Sequence, residues 1–250
     1  MRIIVVDNYE EMSKKAAAMV ASQVVLKPDS VLGLATGDTP TGMYKEIINI
    51  YKNQKMDFSK VKTFNLDEYY GLSRENPQSY YYYMMNNLFN HVNIDDNNIN
   101  IPNGMADNIE VECKEYERKI NKADGIDLQV LGIGVNGHIG FNEPDASFES
   151  ETHLVNLDEK TIESNSRFFS SKDQVPTKAI SMGIKTILHS KKIILLACGS
   201  AKSDAVFKAI NGKITPNIPS DVYKRQSILQ LHRDVVVIID KEAASKLNLK

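Results

Sequence analysis

The chain has 250 residues, of which 42% are hydrophobic and 25% are charged, and its formal net charge is -2. A chain of this length can bury one sizeable core, so we expect a single domain spanning residues 1–250. The charge lacks the basic excess that is typical of nucleic-acid-binding proteins, so no nucleic-acid partner is expected.

The sequence contains no recognisable membrane segment or secretion signal. No stretch approaches the ~20 apolar residues of a membrane helix, and the short apolar run after Met1 ends at Asp7 without a cleavage site. The two cysteines, Cys113 and Cys198, lack metal-ligand spacing and are interpreted as buried thiols in a reducing compartment. We therefore expect a cytoplasmic protein with no membrane partner.

Short β-branched runs alternate with longer amphipathic stretches. The predicted strands are Ile3–Val6, Val31–Ala35, Val61–Leu66, Leu128–Gly132, Ile193–Ala197 and Val235–Ile239. The predicted helices are Glu10–Leu26, Met43–Tyr51, Ser79–Phe89, Val111–Ala123, Lys202–Ile210 and Lys241–Leu247. Most of the strands are continuously apolar, as parallel strands covered on both faces tend to be. The alternation predicts an α/β fold with a doubly wound, mostly parallel sheet and helices on both faces.

In such sheets ligands bind beyond the carboxyl ends of the strands, so the segments after each strand are the candidate sites. After the second strand, Gly37 permits a tight turn and a helix is predicted to begin near Pro40. Exposed backbone N–H groups there favour an anion site. The alternative is a plain strand-to-helix turn with Thr39 as N-cap. Asp38 would repel a phosphate unless its carboxylate points away.

Two acids, Asp67 and Glu68, follow the third strand among aromatic residues. A carboxylate in this place is suited to have a raised pKa and to act as a base. The alternative is an acid that caps a helix or a turn. The tyrosine run at positions 80–83 resembles a base-stacking platform. Four successive residues cannot share one helix face, however, so the run is interpreted as partly core and partly lid.

The loop after the fourth strand contains G-x-G-x-x-G, at Gly132 to Gly137. A dinucleotide site would need this motif to open a helix, and Gly140 and Pro144 break a helix almost at once. We therefore predict a loop that presents polar side chains, among which His138 titrates near neutral pH. Those side chains are Asn136, His138, Asn142 and Glu143. The remaining histidines are interpreted as structural: His91, His153, His189 and His232.

Two cations complete the candidate set. Arg167 lies between small polar and aromatic residues, and Lys202 follows the strand Ile193–Ala197 at the start of a helix. Solvated surface charges are the usual fate of such residues. Together with the loop at Gly37 near one sheet edge, the two cations favour a phosphate clamp.

Over nearly its full length the chain resembles the glucosamine-6-phosphate deaminases of the glucosamine/galactosamine-6-phosphate isomerase family. The matching stretches are Thr36–Pro40, Phe64–Tyr69, Asn136–Pro144, Asn165–Phe169 and Ser227–His232. The resemblance implies a Rossmann-like fold. It also implies a cofactor-free hydrolase of amino-sugar catabolism, which converts glucosamine 6-phosphate and water to fructose 6-phosphate and ammonia.

The resemblance also implies roles for individual residues. Asp67 corresponds to the base that moves a proton between C2 and C1. His138 corresponds to a group that opens the sugar ring, with Glu143 as its partner. Asn136 stands at a position that is Asp in some members of the family. It cannot exchange protons and is expected to orient His138. The residues that correspond to the 6-phosphate site are Gly37, Asp38, Thr39, Arg167 and Lys202.

The resemblance breaks after Pro219, where Ser220–Gln226 intervenes before Ser227. We interpret this segment as foreign to the family and, if genuine, as an exposed loop. Two other functions stay open. A 6-phosphogluconolactonase would need no base for C2, and a sugar-phosphate sensor would need a DNA-binding module for which the chain has no spare length. The oligomeric state is left open, and a homo-oligomer is compatible with the sequence.

Overall fold

In a computed structural model of the chain, residues 1–54, 56–142, 149–212 and 226–248 are described. Their strands are β1 (Arg2–Val6), β2 (Val31–Leu34), β3 (Lys62–Asn65), β4 (Asp67–Tyr69), β5 (Ile99–Asn100), β6 (Leu128–Gly132), β7 (His153–Asn156), β8 (Lys178–Ser181), β9 (Ile193–Ala197) and β10 (Val235–Asp240). Their α-helices are α1 (Tyr9–Leu26), α2 (Asp38–Gln54), α3 (Tyr80–Asn87), α4 (Ile109–Lys122), α5 (Glu159–Asn165), α6 (Ile184–Leu188) and α7 (Ser203–Asn211).

The main sheet has seven strands in the order β1-β10-β9-β6-β2-β3-β5, and every pairing in it is parallel. The predicted doubly wound α/β sheet is confirmed. The strands β9, β6, β2 and β3 are neighbours, so the loops that follow them emerge side by side at one edge of the sheet. The segments that follow these four strands carry Lys202, His138, Gly37 and Asp67, respectively.

Both faces of the sheet are covered, which explains why its strands are apolar without alternation. In β10, Val235, Val237 and Ile239 pack into one core cluster together with residues of α4 and α7. Val236 and Ile238 point the other way, into a second cluster with residues of α1 and α2. Successive side chains of a strand point to opposite faces, so β10 contributes to both cores.

A second sheet was not predicted. It is antiparallel, with the order β4-β8-β7. Its strands are short, and β4 follows β3 after the single residue Leu66. The sequence pattern predicts a single strand that ends at Leu66, so β4 is missed. This small sheet carries Asp67 away from the main sheet and places it opposite Ser181 of β8.

Two predicted helix positions are wrong. The segment Lys241–Leu247 forms turns instead of a helix. The Asp240 side chain accepts the Ala243 N–H, which favours a turn at this point. The helix predicted near Pro40 already begins at Asp38, so Thr39 lies within its first turn and is not the N-cap. Pro40 fits there because first-turn N–H groups have no partner within the helix.

The structure also bears on the predicted absence of membrane helices, on the two cysteines and on the segment after Pro219. None of the described helices is both long and apolar enough to cross a bilayer. Cys113 is buried as predicted, whereas Cys198 is only half-buried, and both are free thiols. The segment interpreted as foreign, Ser220–Gln226, lies outside the described residues except for the backbone of Gln226.

The two-sided core makes a stability prediction. Ile238 is fully buried in β10, so Ile238→Ala should leave a cavity and cost about 2–5 kcal/mol. Chemical denaturation should show a lower midpoint for this variant. As a control, Val25→Ala removes methyl groups from a side chain that is 68% exposed, and should change the stability by less than about 0.5 kcal/mol. Equal midpoints for the two variants would contradict the assigned core.

Candidate active site

Alternation along β4 sends its two acids in opposite directions. Asp67 faces the loop that contains His138, because a Cβ placed on Gly140 would lie 3.6 Å from Asp67 Oδ2 and 3.2 Å from Ser181 Oγ. The Asp67 side chain is 6% exposed. Asp67 and the His138 loop, which are 71 residues apart in the sequence, are therefore brought together.

The buried position changes the acidity of Asp67. Burial and the neighbouring Glu68 carboxylate together raise the pKa of Asp67 to about 8. Desolvation and like charge both disfavour the ionised form. A carboxylate with a pKa this close to neutrality is a much stronger base than an exposed one, which suits it to remove a proton from carbon.

Glu68 has a different environment. Its carboxylate accepts the backbone N–H groups of Tyr69, Tyr80 and Tyr81 at 2.8–2.9 Å. The last two lie at the N-terminus of α3, where a negative charge is favoured. Burial raises the pKa of Glu68 to about 7, and the three N–H donors oppose this rise. Glu68 therefore caps α3 and fixes it to β4.

The G-x-G-x-x-G segment forms a loop, as predicted, and does not open a helix. Its second glycine has a packing function, since a Cβ on Gly134 would come within 2.5 Å of the His138 ring. The Gly134 N–H donates to the His138 carbonyl. Asn136 Oδ1 accepts the His138 backbone N–H at 3.1 Å. The glycines and Asn136 thus shape the turn on which the imidazole rests.

The His138 imidazole is neutral at physiological pH. Burial and, less strongly, the Lys202 ammonium lower the pKa of His138 to about 4, against the opposing effect of the Asp158 carboxylate. A neutral imidazole can accept a proton at one ring nitrogen while it donates from the other. Glu143, which the sequence predicts as the partner of His138, lies outside the described residues.

The two predicted cations lie at the same edge. Lys202 donates to the carbonyl of Ile133, at the end of β6, at 2.7 Å, which uses one of its three N–H donors. Burial lowers the pKa of Lys202, and the nearby Arg167 guanidinium lowers it further. Two cations close enough to disfavour each other's charge are suited to binding an anion.

Arg167 also explains how Asp38 can lie beside an anion site. The Arg167 guanidinium pairs with the Asp38 carboxylate, and both side chains are more than 60% exposed. An exposed pair of this kind is worth only about 0–1 kcal/mol, so a phosphate dianion can compete for the guanidinium. Gly37, Asp38 and Thr39 supply the backbone at the start of α2.

The profile of one protein family, described as "Glucosamine-6-phosphate isomerases/6-phosphogluconolactonase", matches residues 7–231. The chain belongs to this family. A protein of Clostridium botulinum (strain Loch Maree / Type A3) named glucosamine-6-phosphate deaminase is 88% identical over 250 residues, which cover 100% of both proteins. One of the same name from Clostridium novyi (strain NT) is 67% identical over 247 residues, which cover 99% of this chain and 100% of that protein.

Solved structures of the family agree with the fold. A monomeric glucosamine-6-phosphate deaminase superposes with a TM-score of 0.93 at 47% identity, over 98% of this chain and 99% of that chain. The 6-phosphogluconolactonase from Trypanosoma cruzi gives a TM-score of 0.74 at 19% identity, over 99% of this chain and 97% of that chain. The latter likeness shows the shared fold alone.

Several site residues of this family member were not identified from the sequence. An aromatic cluster joins the segments around the site: Tyr69 contacts Tyr80, Phe141 and Phe169 at ring distances of 4.8–6.0 Å. Asn165, two residues before Arg167, donates to the Tyr69 hydroxyl at 2.8 Å. Asp158, whose carboxylate opposes the lowering of the His138 pKa, follows the short strand β7. A search of the residues after each strand would have found Asp158 if β7 had been predicted.

Residues outside the proposed site include the other histidines and the side chains that could hold a metal ion. His232 is structural, as predicted: its ring bridges the Ser190 carbonyl and the Asp234 N–H. Among the residues that the structure describes, no group of three or more His, Cys, Asp or Glu side chains is arranged to hold a metal ion.

The contact between Gly134 and His138 gives a matched pair of variants. Gly134→Ala places a methyl group where the imidazole lies and should lower kcat by about 10- to 100-fold, because misplacing a reacting group by about 1 Å has this effect. Gly132→Ala, in the same motif, meets nothing within 4 Å and should retain activity. Turnover assays and melting temperatures of both proteins test this. Equal activity of the two variants would show that the imidazole position does not matter.

Proposed function

We propose that this family member isomerises and deaminates glucosamine 6-phosphate, giving fructose 6-phosphate and ammonia. The observation that carries the proposal is the position of Asp67, a buried carboxylate with its pKa raised to about 8. It faces the His138 loop at the sheet edge that also carries Lys202 and Arg167. The relatives that bear the deaminase name at 67–90% identity support the same reaction.

The reaction requires proton transfers at separate atoms. The sugar ring opens to a C1 aldehyde, with proton transfer at the ring oxygen. A base then removes the C2 proton, and the enolamine that forms is protonated at C1. This leaves an imine at C2, and addition of water to the imine releases ammonia and the ketose. No electrons are exchanged with an external partner, so no redox cofactor is required.

Asp67 is the base in this proposal. Its carboxylate takes the C2 proton and returns it to C1, so the same group is base in the first transfer and acid in the second. His138 opens the ring by moving a proton at the ring oxygen, a task that suits a neutral imidazole. Asn136 holds the turn that carries His138, and Glu143 is proposed as the partner of His138.

The 6-phosphate anchors the substrate. We assign it to the backbone of Gly37, Asp38 and Thr39 at the start of α2, together with Arg167 and Lys202. Anchoring one end of the sugar limits the freedom of C2 above Asp67, and such positioning lowers the barrier without any chemistry of its own.

Two alternative functions, a lactonase and a sugar-phosphate sensor, can be distinguished from the deaminase. A lactonase needs no base for a C–H bond, so the buried Asp67 favours the deaminase. A sugar-phosphate sensor would bind the sugar without turning it over. The direct test is an assay for ammonia and fructose 6-phosphate from glucosamine 6-phosphate. Binding without release of either product would favour the sensor.

The number of domains, the cellular location and the oligomeric state are proposals as well. We assign residues 1–250 to one domain, because both core clusters share the main sheet. A cytoplasmic location suits a substrate whose phosphate charge opposes passage through a membrane. A homo-oligomer stays a prediction that sedimentation analysis can test, and the solved deaminase at 47% identity is described as monomeric.

The role of Asp67 has a specific test. Asp67→Asn should lower the exchange of the C2 hydrogen with deuterated water by at least about 10³-fold, because an amide cannot accept the proton. Binding of substrate, followed by calorimetry, should be largely retained. Exchange at the wild-type rate would remove Asp67 from the role of base.

The raised pKa of Asp67 predicts the pH profile. The ionised form is the active one, so kcat/KM should rise with pH through the region near 8. Glu68→Gln removes a neighbouring negative charge, which favours ionisation and should move this rising limb to lower pH. The exposed residue Glu75 provides the control, because Glu75→Gln should leave the limb in place. An ionisation of the substrate affects the wild-type protein and the variants equally, so it does not contribute to the difference between their pH profiles. A limb that stays in place or moves to higher pH in Glu68→Gln would contradict the electrostatic account.

A further inference from the structure

The tyrosines of α3 do not form one surface. Tyr82 is 42% exposed, whereas Tyr80 and Tyr83, three residues apart on one helix face, approach the loop after β2. Burial raises the pKa of Tyr80, and the nearby Thr36 side chain opposes this rise. Tyr83 reaches the next residue of the loop, Gly37. The two tyrosines thus connect α3 to the proposed phosphate-binding backbone.

The Gly37 carbonyl is held from two directions. The Tyr83 hydroxyl donates to it at 2.7 Å, and the Thr41 hydroxyl donates to it at 3.0 Å. The two hydroxyl oxygens are 2.8 Å apart. Burial raises the pKa of Tyr83 to about 12, so its phenol keeps its proton and remains a donor at neutral pH.

Fixing this carbonyl fixes the N–H group that follows it. A trans peptide is planar, so the Asp38 N–H points opposite to the Gly37 C=O. Gly37 has φ of 99°, and a Cβ placed on it would meet nothing within 4 Å. Glycine has no side chain that could hold this peptide in place, whereas the hydroxyl groups of Tyr83 and Thr41 hold its carbonyl.

The same helix is anchored beside the base. Glu68 accepts the first backbone N–H groups of α3 and adjoins Asp67 in β4, while Tyr83 lies one turn further along α3. The segment from Glu68 to Tyr83 therefore links Asp67 to the loop at Gly37. The two ends of an amino-sugar phosphate would lie at the two ends of this link.

We infer that Tyr83 is a positioning residue, which orients the Gly37–Asp38 peptide for the substrate's phosphate. This inference rests on the proposed function. It assigns a task to the tyrosine run beyond packing, and it concerns substrate binding and not the proton transfers.

Removing one hydroxyl tests the inference. Tyr83→Phe keeps the ring and should raise both the KM for glucosamine 6-phosphate and the inhibition constant of inorganic phosphate by about fivefold, the effect of one lost hydrogen bond. The kcat should remain unchanged. Tyr82→Phe, on the exposed side of the same helix, is the control and should change neither constant. Thr41→Val removes the second donor and should act in the same direction as Tyr83→Phe.

Several outcomes would overturn the inference. One is an unchanged phosphate constant in both Tyr83→Phe and Thr41→Val, and another is a fall in kcat at constant KM. A purely structural role would lower the melting temperature without moving the phosphate constant. If the wild-type protein releases no ammonia, the proposed function fails, while calorimetry with inorganic phosphate still decides the role of Tyr83.

Discussion

The site depends on one local constraint, the alternation of side chains along a three-residue strand. In β4, Asp67 points into the cleft and Glu68 points to α3. The single residue Leu66 separates this strand from β3 of the main sheet. Because of this geometry, one short segment supplies both a buried base and the anchor of the helix that reaches the phosphate loop. Burial and the adjacent charge then raise the pKa of Asp67.

The electrostatics of the rest of the site follow from burial and from like charges at a single sheet edge. Burial and the nearby Arg167 guanidinium lower the pKa of Lys202, and burial and Lys202 lower the pKa of His138. A bound phosphate would compensate both cations and so relieve the part of the His138 shift that Lys202 causes. In the proposed mechanism, phosphate binding therefore prepares the imidazole for proton transfer as well as anchoring the sugar. Neither the change in the His138 pKa nor the anchoring of the sugar requires the backbone to move.

The sequence predicted the parts of this arrangement that depend on local pattern. Continuous apolar runs revealed the main strands, and Gly140 indicated that the segment at His138 forms a loop. The family resemblance pointed to Asp67. The antiparallel sheet was not predicted, because its strands are only three or four residues long and β4 follows β3 after one residue. The segment Lys241–Leu247 has the composition of a helix, but the Asp240 side chain favours turns. The contact of Tyr83 with Gly37 joins residues 46 apart in the sequence, for which no local pattern exists.

The central claim is that one edge of the sheet holds the proposed carbon base and the proposed phosphate cradle. The most direct measurement is a crystal structure with an unreactive open-chain analogue, in which C1 of glucosamine 6-phosphate is reduced to an alcohol. The account predicts its phosphate at Gly37–Thr39 with Arg167 and Lys202, and its C2 about 3–3.5 Å from the Asp67 carboxylate. A phosphate bound elsewhere, or a C2 out of reach of Asp67 while the phosphate occupies the cradle, would contradict it.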